Sequence, residues 1–345
     1  VTHIVARYAA TAQAAQIPGA VRHEAARTLL NWVGCAVGGS QQGAPARAIA
    51  ALAPFAGPAQ ASLFGRPERL DALSAALVNG ISSHVLDFDD THAAGSLHPG
   101  CPVIPAALAA GEMTGASGAD VLAGIIAGYE VTCRIALALP AGDHYARGFH
   151  PTSTCGVFGA AAAAARVFGL DADGVASALG IALSQSAGSL QFLANGAWTK
   201  RFQVGWACMG GLAAAVLARE GFKGAADAIE GTHGFLQAYA PAPNPARATQ
   251  DLGTVFELIV DPEVLKVRYL DIELDTRFKI KEYENHILLP IGVASLDADG
   301  DNLRAALVWD SERAGNAQAA FSTRITRGAA GWDWPADAPL SATVR

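Results

Sequence analysis

The stretch TSTCGVFGAAAAAARVF, residues Thr152–Phe168, decides the fold class of this chain. Its run of small residues from Gly159 to Ala165 lets neighbouring helices approach closely, which favours a compact bundle over a long coiled coil. Gly169 follows directly, and a glycine at this place commonly ends a helix. The stretch therefore predicts a helix from about Thr152 to Phe168 that packs closely against its neighbours in a compact bundle.

Helical signals continue on both sides of this stretch. From residue 1 to about 240, apolar residues return every three or four positions, with Gly or Pro at the breaks. Ser117 followed by Asp120 is a helix-start signal, and Asp171 is a second one. Because nothing in this region alternates like a strand, we predict an all-helical domain over residues 1–250.

The pattern changes after the segment Pro241-Ala242-Pro243-Asn244-Pro245. Residues 267–280 show mixed alternation, which is typical of strands. We therefore predict a second, smaller α+β domain over residues 251–345. The fold class predicted for the whole chain is mainly α.

Composition narrows the classes of partner. Of the 345 residues, 51% are hydrophobic and 16% are charged, which suits buried helices and a buried subunit interface. The net charge of -7 and the lack of any Lys/Arg run argue against nucleic acid and against an anionic membrane surface. The apolar window Ala119–Leu139 is interrupted by Asp120, Glu130 and Arg134, as in a buried core helix. We expect a small-molecule partner and a homo-oligomer.

Two features bear on location. The five cysteines form no C-x-x-C pair and lie in apolar or small-residue settings, which predicts buried thiols in a reducing compartment. The opening Val1-Thr2-His3 lacks the basic and then apolar pattern of a secretory signal. We expect a cytoplasmic protein.

The densest polar cluster lies between His84 and His98, where three acids and three histidines occur within fifteen residues. A helix carrying Leu77, Ile81 and His84 delivers this cluster to a loop, where functional sites are common. Crowded acids beside an apolar core need cations or hydrogen-bond donors, so shifted proton affinities are expected here.

Two other interpretations of the cluster stay open. In the structural one, Asp89 and Asp90 only cap or solvate a helix end, and His84 fills a core hydrogen bond. In the other, Asp87, Asp90, His92 and His98 converge on a metal ion. These are the residues that the two alternatives use. Since neither H-E-x-x-H nor a Cys/His pairing is present, we assign no metal and no cofactor.

Two further signals point to an anionic substrate. Arg147 and the hydroxyls of residues 152–154 lie at a predicted helix start, where they can hold a carboxylate, although an ordinary capped loop would look the same. Lys200 is the only lysine among the first 222 residues, which favours a placed charge over a random surface one. No nucleotide-binding or serine-hydrolase motif is present, so acid–base chemistry remains.

The motifs resemble those of the MmgE/PrpD family. The resemblance rests on the run from His84 to His92, on His98-Pro99, and on Val103-Ile104-Pro105-Ala106-Ala107-Leu108. It continues through Gly128-Tyr129-Glu130-Val131, Gly148-Phe149-His150 and Thr199-Lys200, and covers roughly the first 235 residues. After about Glu257 the segment that usually opens the family's second domain is not found.

The resemblance implies a large helical domain with a smaller α+β lid, in a homodimer that acts on a polycarboxylate without a cofactor. It also implies a list of pocket positions: Asp87, Thr91, His98, His150 and Lys200. We predict His98 or Lys200 as the base, with Asp87 orienting His98 and with Tyr145 as a second acid. We also predict that His150 contacts a substrate carboxylate and that Thr91 and Arg147 bind the substrate.

The choice of reaction follows from what happens after proton removal. Return of the proton from the opposite face gives epimerisation, while loss of a neighbouring group gives a lyase. The segment from Ala197 to Phe202 resembles 2-methylcitrate dehydratase less than it resembles other branches of the family. The sequence therefore leads us to predict an iminodisuccinate-type epimerase first, a lyase of the dehydratase or decarboxylase type second, and a non-catalytic scaffold as the alternative of another class.

Overall fold

The computed structural model describes residues 1–250 and, within residues 251–345, the backbone of seven strands. The chain divides into two compact units, Val1–Val260 and Asp261–Arg345. The first unit carries all the candidate site residues, so it is described in more detail.

Helices dominate residues 1–250, where the structure has eleven α-helices. They are α1 Thr2–Thr11, α2 Gly19–Gly39, α3 Gly43–Leu52, α4 Ala72–His84, α5 Gly100–Thr114, α6 Gly118–Ala138, α7 Ala141–Ala146, α8 Pro151–Val167, α9 Ala172–Leu183, α10 Thr199–Arg219 and α11 Phe235–Tyr239. Short 3-10 turns lie at Ala53–Phe55, Ala93–Gly95, Leu190–Ala194 and Pro245–Ala248. The prediction of a mainly α protein is confirmed.

The helix starts follow from local capping. The Ser117 hydroxyl accepts a hydrogen bond from the Asp120 N–H at 3.2 Å, and so begins α6. The Asp171 carboxylate does the same for α9 by accepting from the Gly174 N–H at 2.8 Å. Each cap satisfies a backbone donor that the first helical turn leaves without a partner. Both starts agree with the sequence signals.

Helix α8 is the centre of the first unit, with nearly every residue buried, and it packs on α5, α6, α9 and α10. Its closest approach to α6 pairs Gly159 with Gly128. A methyl group on Gly159 would lie 2.6 Å from the Gly128 carbonyl oxygen, and one on Gly128 would lie 2.6 Å from the Gly159 carbonyl oxygen. Only residues without a side chain permit this backbone contact.

A small hairpin departs from the purely helical prediction for this region. Strands β1 Ala61–Ser62 and β2 Arg69–Leu70 pair antiparallel, with Ala61 opposite Leu70. At two residues each, these strands are too short to show the alternation by which a strand is recognised in a sequence.

In the second unit, seven strands form one antiparallel sheet in the order β4-β3-β9-β8-β7-β6-β5. They are β3 Tyr269–Leu274, β4 His286–Pro290, β5 Ala294–Leu296, β6 Asn302–Asp310, β7 Gln318–Gly328, β8 Gly331–Asp333 and β9 Ala342–Val344. The longest pairing runs from Asn302 opposite Thr326 to Asp310 opposite Gln318. The helical part of the predicted α+β domain lies outside the described residues.

Two further sequence predictions concern buried groups. All five cysteines are free and buried, as predicted, and each lies on a different helix: Cys35 on α2, Cys101 on α5, Cys133 on α6, Cys155 on α8 and Cys208 on α10. Among the described helices, α6 and α10 are long and apolar enough to cross a membrane. Most of α6 and more than half of the α10 window are buried within the fold, as in core helices of soluble proteins.

Candidate active site

The candidate site begins where α4 ends. His84 is the last residue of α4, and the chain then turns through Asp87, which has a positive φ of 62°. This left-handed conformation is uncommon outside glycine, although aspartate adopts it more readily than most residues. The turn places the Asp87 side chain, which is 53% exposed, over the buried end of the helix.

Beneath this turn, His84 and Asp89 form a buried pair. The Nδ1 atom of His84 lies 2.9 Å from an Asp89 carboxylate oxygen, and both side chains are fully buried. Burial alone would raise the pKa of Asp89, but the charge and hydrogen bonding of His84 and His98 hold it well below its usual range. The structural interpretation is therefore wrong for Asp89, which does not cap or solvate a helix end, but right for His84, which does fill a core hydrogen bond.

Asp90 is buried as well. A methyl group on Gly100 would lie 2.2 Å from an Asp90 carboxylate oxygen and 2.3 Å from the Tyr129 hydroxyl, so this acid and phenol lie together beneath the start of α5. Burial and the charge of Asp90 raise the pKa of Tyr129 well above its usual value. The structural interpretation of Asp90 as a solvated cap is also wrong.

Lys200 reaches Asp87 from the start of α10. Its Nζ atom donates to both carboxylate oxygens of Asp87 at 2.6 Å, across 113 positions of sequence. Although partial burial alone would raise the pKa of Asp87, the positive fields of His84, Lys200 and His98 lower it. The inference that the lone lysine lies beside an acid agrees with this contact.

His98 lies between the two aspartates. Its Nδ1 atom is 3.3 Å from the Asp89 carbonyl oxygen and 3.5 Å from the Thr91 hydroxyl, while its Nε2 atom is 3.8 Å from Asp87. Its backbone N–H donates to the Thr152 hydroxyl at 3.1 Å, which ties the loop to α8. Asp89 and Thr91 therefore orient His98 more closely than Asp87, the residue that we predicted for this role.

His150 closes the cluster from the N-terminal end of α8. Its ring stacks on that of His84 with centroids 6.2 Å apart, and its Nδ1 atom lies 3.0 Å from the Gln203 amide oxygen. Burial lowers the pKa of His150 to about 3, so this ring is neutral. Gln203 was missed in the sequence; its only signal there is a position three residues after Lys200, on the same helix.

Two predicted residues do not join this cluster. The Tyr145 side chain is 45% exposed, and the Arg147 guanidinium lies over the Phe149 ring, 5.5 Å from its centroid. Among residues 1–250, neither side chain has a hydrogen bond or ion pair to Asp87, His98 or Lys200. The contacts thus give no support to Tyr145 as a second acid or to Arg147 as a carboxylate clamp.

The predicted anion site at the start of α8 also looks different in the structure. The three hydroxyls are buried and already engaged: that of Thr152 by His98, that of Ser153 by the Ala187 carbonyl, and that of Thr154 by His144. They hold the bundle together here, so the expectation that they bind an anion is not met.

The cluster also has the donor set of a metal site. One ligand atom from each of His84, Asp87, Asp89 and His98 lies within 4.8 Å of the others. This set differs from the predicted Asp87, Asp90, His92 and His98. The Lys200 ammonium group contacts Asp87, one of the four members of this donor set.

Two buried histidines, His144 and His150, give the first unit a predicted sensitivity to acid. Burial lowers the pKa of both rings, whereas an unfolded histidine takes up a proton near pH 6.5. Below pH 6.5 the unfolded chain therefore binds more protons than the folded one, and stability falls with pH. We expect the free energy of unfolding to drop by up to about 1.4 kcal/mol per pH unit for each such histidine.

Urea denaturation at pH 7.5, 6.5, 5.5 and 4.5 measures this dependence. The variant His144→Asn changes a residue outside the candidate site, and is expected to be less stable at pH 7.5 and to have a shallower pH slope. A midpoint that stays constant from pH 7.5 to 4.5 would contradict the assignment of neutral histidines.

Comparison with known proteins identifies the class. Residues 3–248 match the MmgE/PrpD N-terminal domain. The chain belongs to the MmgE/PrpD family, as its motifs suggested.

Three relatives show the extent of the similarity. The chain is 31% identical over 251 residues to a cis-aconitate decarboxylase-like protein of Aspergillus oryzae, covering 69% of this chain and 52% of that protein. It is 29% identical over 245 residues to the cis-aconitate decarboxylase of Aspergillus terreus, covering 69% and 50%. It is 36% identical over 186 residues to that of Homo sapiens, covering 52% and 38%. The chain thus spans about half the length of the first two relatives, and these names give no support to a particular closeness to iminodisuccinate epimerase.

Proposed function

We propose that this protein is a lyase that acts on a small polycarboxylate by proton transfer at a carbon next to a carboxylate. The observation that carries the proposal is the contact of Lys200 with Asp87, set beside His98 and His150 at a partly exposed position. A cation that can hold a carboxylate and a histidine that can carry a proton are parts that such a reaction needs, and the buried His84–Asp89 pair lies beside them.

Lys200 and His98 have separate roles in the proposed reaction. Lys200 exchanges one of its Asp87 contacts for a substrate carboxylate, and its charge stabilises the enolate-like anion that forms when the bond next to that carboxylate breaks. The Nε2 atom of His98 exchanges the proton with the substrate. The other ring nitrogen, Nδ1, is not available for this, because it faces the Asp89 carbonyl oxygen and the Thr91 hydroxyl. The buried His84–Asp89 pair supports His98 from below.

The relatives favour a lyase over the epimerase that the sequence first led us to predict. Three of them bear the name cis-aconitate decarboxylase or decarboxylase-like. Loss of carbon dioxide leaves a carbanion that a proton then quenches, while removal of water begins with loss of a proton and ends with departure of hydroxide. Each carbanion lies next to a carboxylate, so one cation can stabilise either. An epimerase would in addition need a second proton carrier on the opposite face, and Tyr145, proposed for that role, is not in contact with the cluster.

Proton NMR in deuterated water tests the proposal. The full chain is incubated separately with cis-aconitate, 2-methylcitrate and iminodisuccinate, and carbon dioxide release is measured in parallel. A new alkene or released carbon dioxide is the expected result. Deuterium exchange with inversion and no new product would move the protein to the epimerases, while no change with any of the three would overturn the enzyme proposal in favour of a scaffold.

Two further proposals concern the whole protein. From its apolar composition we propose a homodimer, and from its buried free thiols a cytoplasmic location. Light scattering on the purified chain measures the mass directly.

A further inference from the structure

The amide of Gln203 bridges two groups beside the candidate site. Its oxygen lies 3.0 Å from Nδ1 of His150, and its nitrogen donates to the Ser189 carbonyl oxygen at 2.8 Å. Helix α10, which carries Gln203, also packs against α4, α5, α8 and α9. The amide of Gln203 thus joins the His150 ring to the Ser189 backbone.

The Ser189 carbonyl fixes the direction of this amide. A carbonyl oxygen only accepts hydrogen bonds, so the Gln203 NH₂ group has to face Ser189. Reversing the amide would bring two oxygens together. The Gln203 oxygen consequently faces His150, and Nδ1 of that ring has to carry the hydrogen.

The backbone of Gly188, next to Ser189, lies against both His150 and Gln203. The His150 N–H donates to the Gly188 carbonyl oxygen at 3.0 Å. Gly188 has a φ of 150°, and a methyl group there would lie 3.2 Å from the Gln203 amide oxygen and 3.3 Å from Cβ of His150. One short segment thus positions the amide and the ring together, and leaves no space for a side chain between them.

The other ring nitrogen of His150 is left with a lone pair. Because burial keeps the ring neutral and Nδ1 holds the hydrogen, Nε2 can only accept a hydrogen bond. Among residues 1–250, no donor lies within hydrogen-bond distance of Nε2 of His150. A carboxylate, which also only accepts, does not suit this atom, which corrects the expectation that His150 contacts a substrate carboxylate.

We propose that Gln203 is a positioning residue that holds His150 as a hydrogen-bond acceptor, and that the substrate group meeting His150 is a hydroxyl. This rests on the proposed function for the polycarboxylate part and narrows it to a hydroxy acid. Of the three compounds in the turnover experiment, only 2-methylcitrate has a hydroxyl, so the inference favours removal of water over removal of carbon dioxide. Gln203 acts through His150 and touches no reacting atom.

A pair of ligands that differ by one hydroxyl tests the proposal in a binding experiment. Citrate and tricarballylate share three carboxylates, and only citrate has the hydroxyl. By calorimetry, we expect the wild type to bind citrate about tenfold more tightly, which is the effect of one hydrogen bond. A ratio near one, or no binding of either compound, would overturn the substrate assignment.

The variant Gln203→Glu places a negative charge beside the His150 ring. A carboxylate at this position stabilises the protonated ring, so that Nε2 becomes a donor and the preference for citrate over tricarballylate disappears. Gln191→Glu is the matched control, since it adds the same charge at an exposed residue of the neighbouring 3-10 turn and is expected to keep the tenfold ratio. An unchanged ratio in folded Gln203→Glu would overturn the positioning role.

Nitrogen NMR of the wild type gives a readout that does not depend on any variant. Labelled His150 is expected to carry its hydrogen on Nδ1, and to lose this preference in Gln203→Met. A hydrogen on Nε2 in the wild type would overturn the proposal even if the variants do not fold. Neither NMR nor calorimetry needs turnover, so a chain that binds citrate selectively but cleaves nothing would contradict the proposed function alone.

Discussion

Replacement of Lys200 by alanine is expected to lower kcat/KM by roughly 100- to 10,000-fold on any substrate that the protein turns over, the range found for loss of a group that acts in proton transfer or charge stabilisation. The reason is that the Lys200 ammonium group is the cation held on Asp87 at the exposed side of the cluster. Without it, the negative charge that forms on the substrate lies beside the Asp87 carboxylate with no ammonium group between them.

Stability should change little, because an ion pair this close to solvent contributes at most about 1 kcal/mol. Lys223→Ala is the matched control, since Lys223 is exposed and lies outside the cluster. The double variant Asp87→Ala, Lys200→Ala is expected to be hardly slower than Lys200→Ala, because the two groups act as a unit. Wild-type turnover by folded Lys200→Ala would remove this residue from the mechanism.

Replacement of Gly159 by alanine is expected to lower the free energy of unfolding by about 3 kcal/mol, at the upper end of overpacking effects. The added methyl would lie 1.7 Å from the Thr132 hydroxyl oxygen and 2.6 Å from the Gly128 carbonyl oxygen. Thr132 can rotate, but the backbone of α6 can only move away from α8, which is itself held by its packing against α5, α9 and α10.

Gly118→Ala is the control for this experiment. Gly118 begins α6, and a methyl group there meets nothing within 4 Å. The same substitution is therefore expected to be neutral or to stabilise the protein by about 0.4–1 kcal/mol through the unfolded chain. Equal midpoints for the two variants in urea denaturation would show that α6 and α8 do not approach as closely as described.

The helical domain could be predicted because the helix-start signals and the small residues at helix contacts both indicate packed helices. Ser117 and Asp171 mark helix starts, and the small residues of α8 indicate a buried helix that others approach closely. The hairpin of β1 and β2 could not be predicted, since two residues carry no period. The left-handed turn at Asp87 was equally hidden, because nothing local requires it and the distant Lys200 accounts for the direction of its carboxylate.

The candidate site could be predicted in part. Residue type and crowding indicated the cluster of Asp87, His98 and Lys200, which the fold then brings together. The same reasoning favoured Tyr145 and Arg147, which are close in sequence to His150. In the structure Tyr145 lies on the exposed face of the short helix α7, and Arg147 directly follows this helix. Gln203 was missed because the role of a neutral amide depends on the groups that it contacts. Those groups, the His150 ring and the Ser189 carbonyl, are known only from the structure.

The distribution of the five cysteines has a practical consequence for following the motions of this protein. Each thiol is buried in a different helix, and burial raises the pKa of every one of them. A thiol reagent can then modify a given helix only when that helix opens to solvent. Mass spectrometry of the labelled peptides would give five separate opening rates, a map of local breathing in the native bundle that requires no engineered probe.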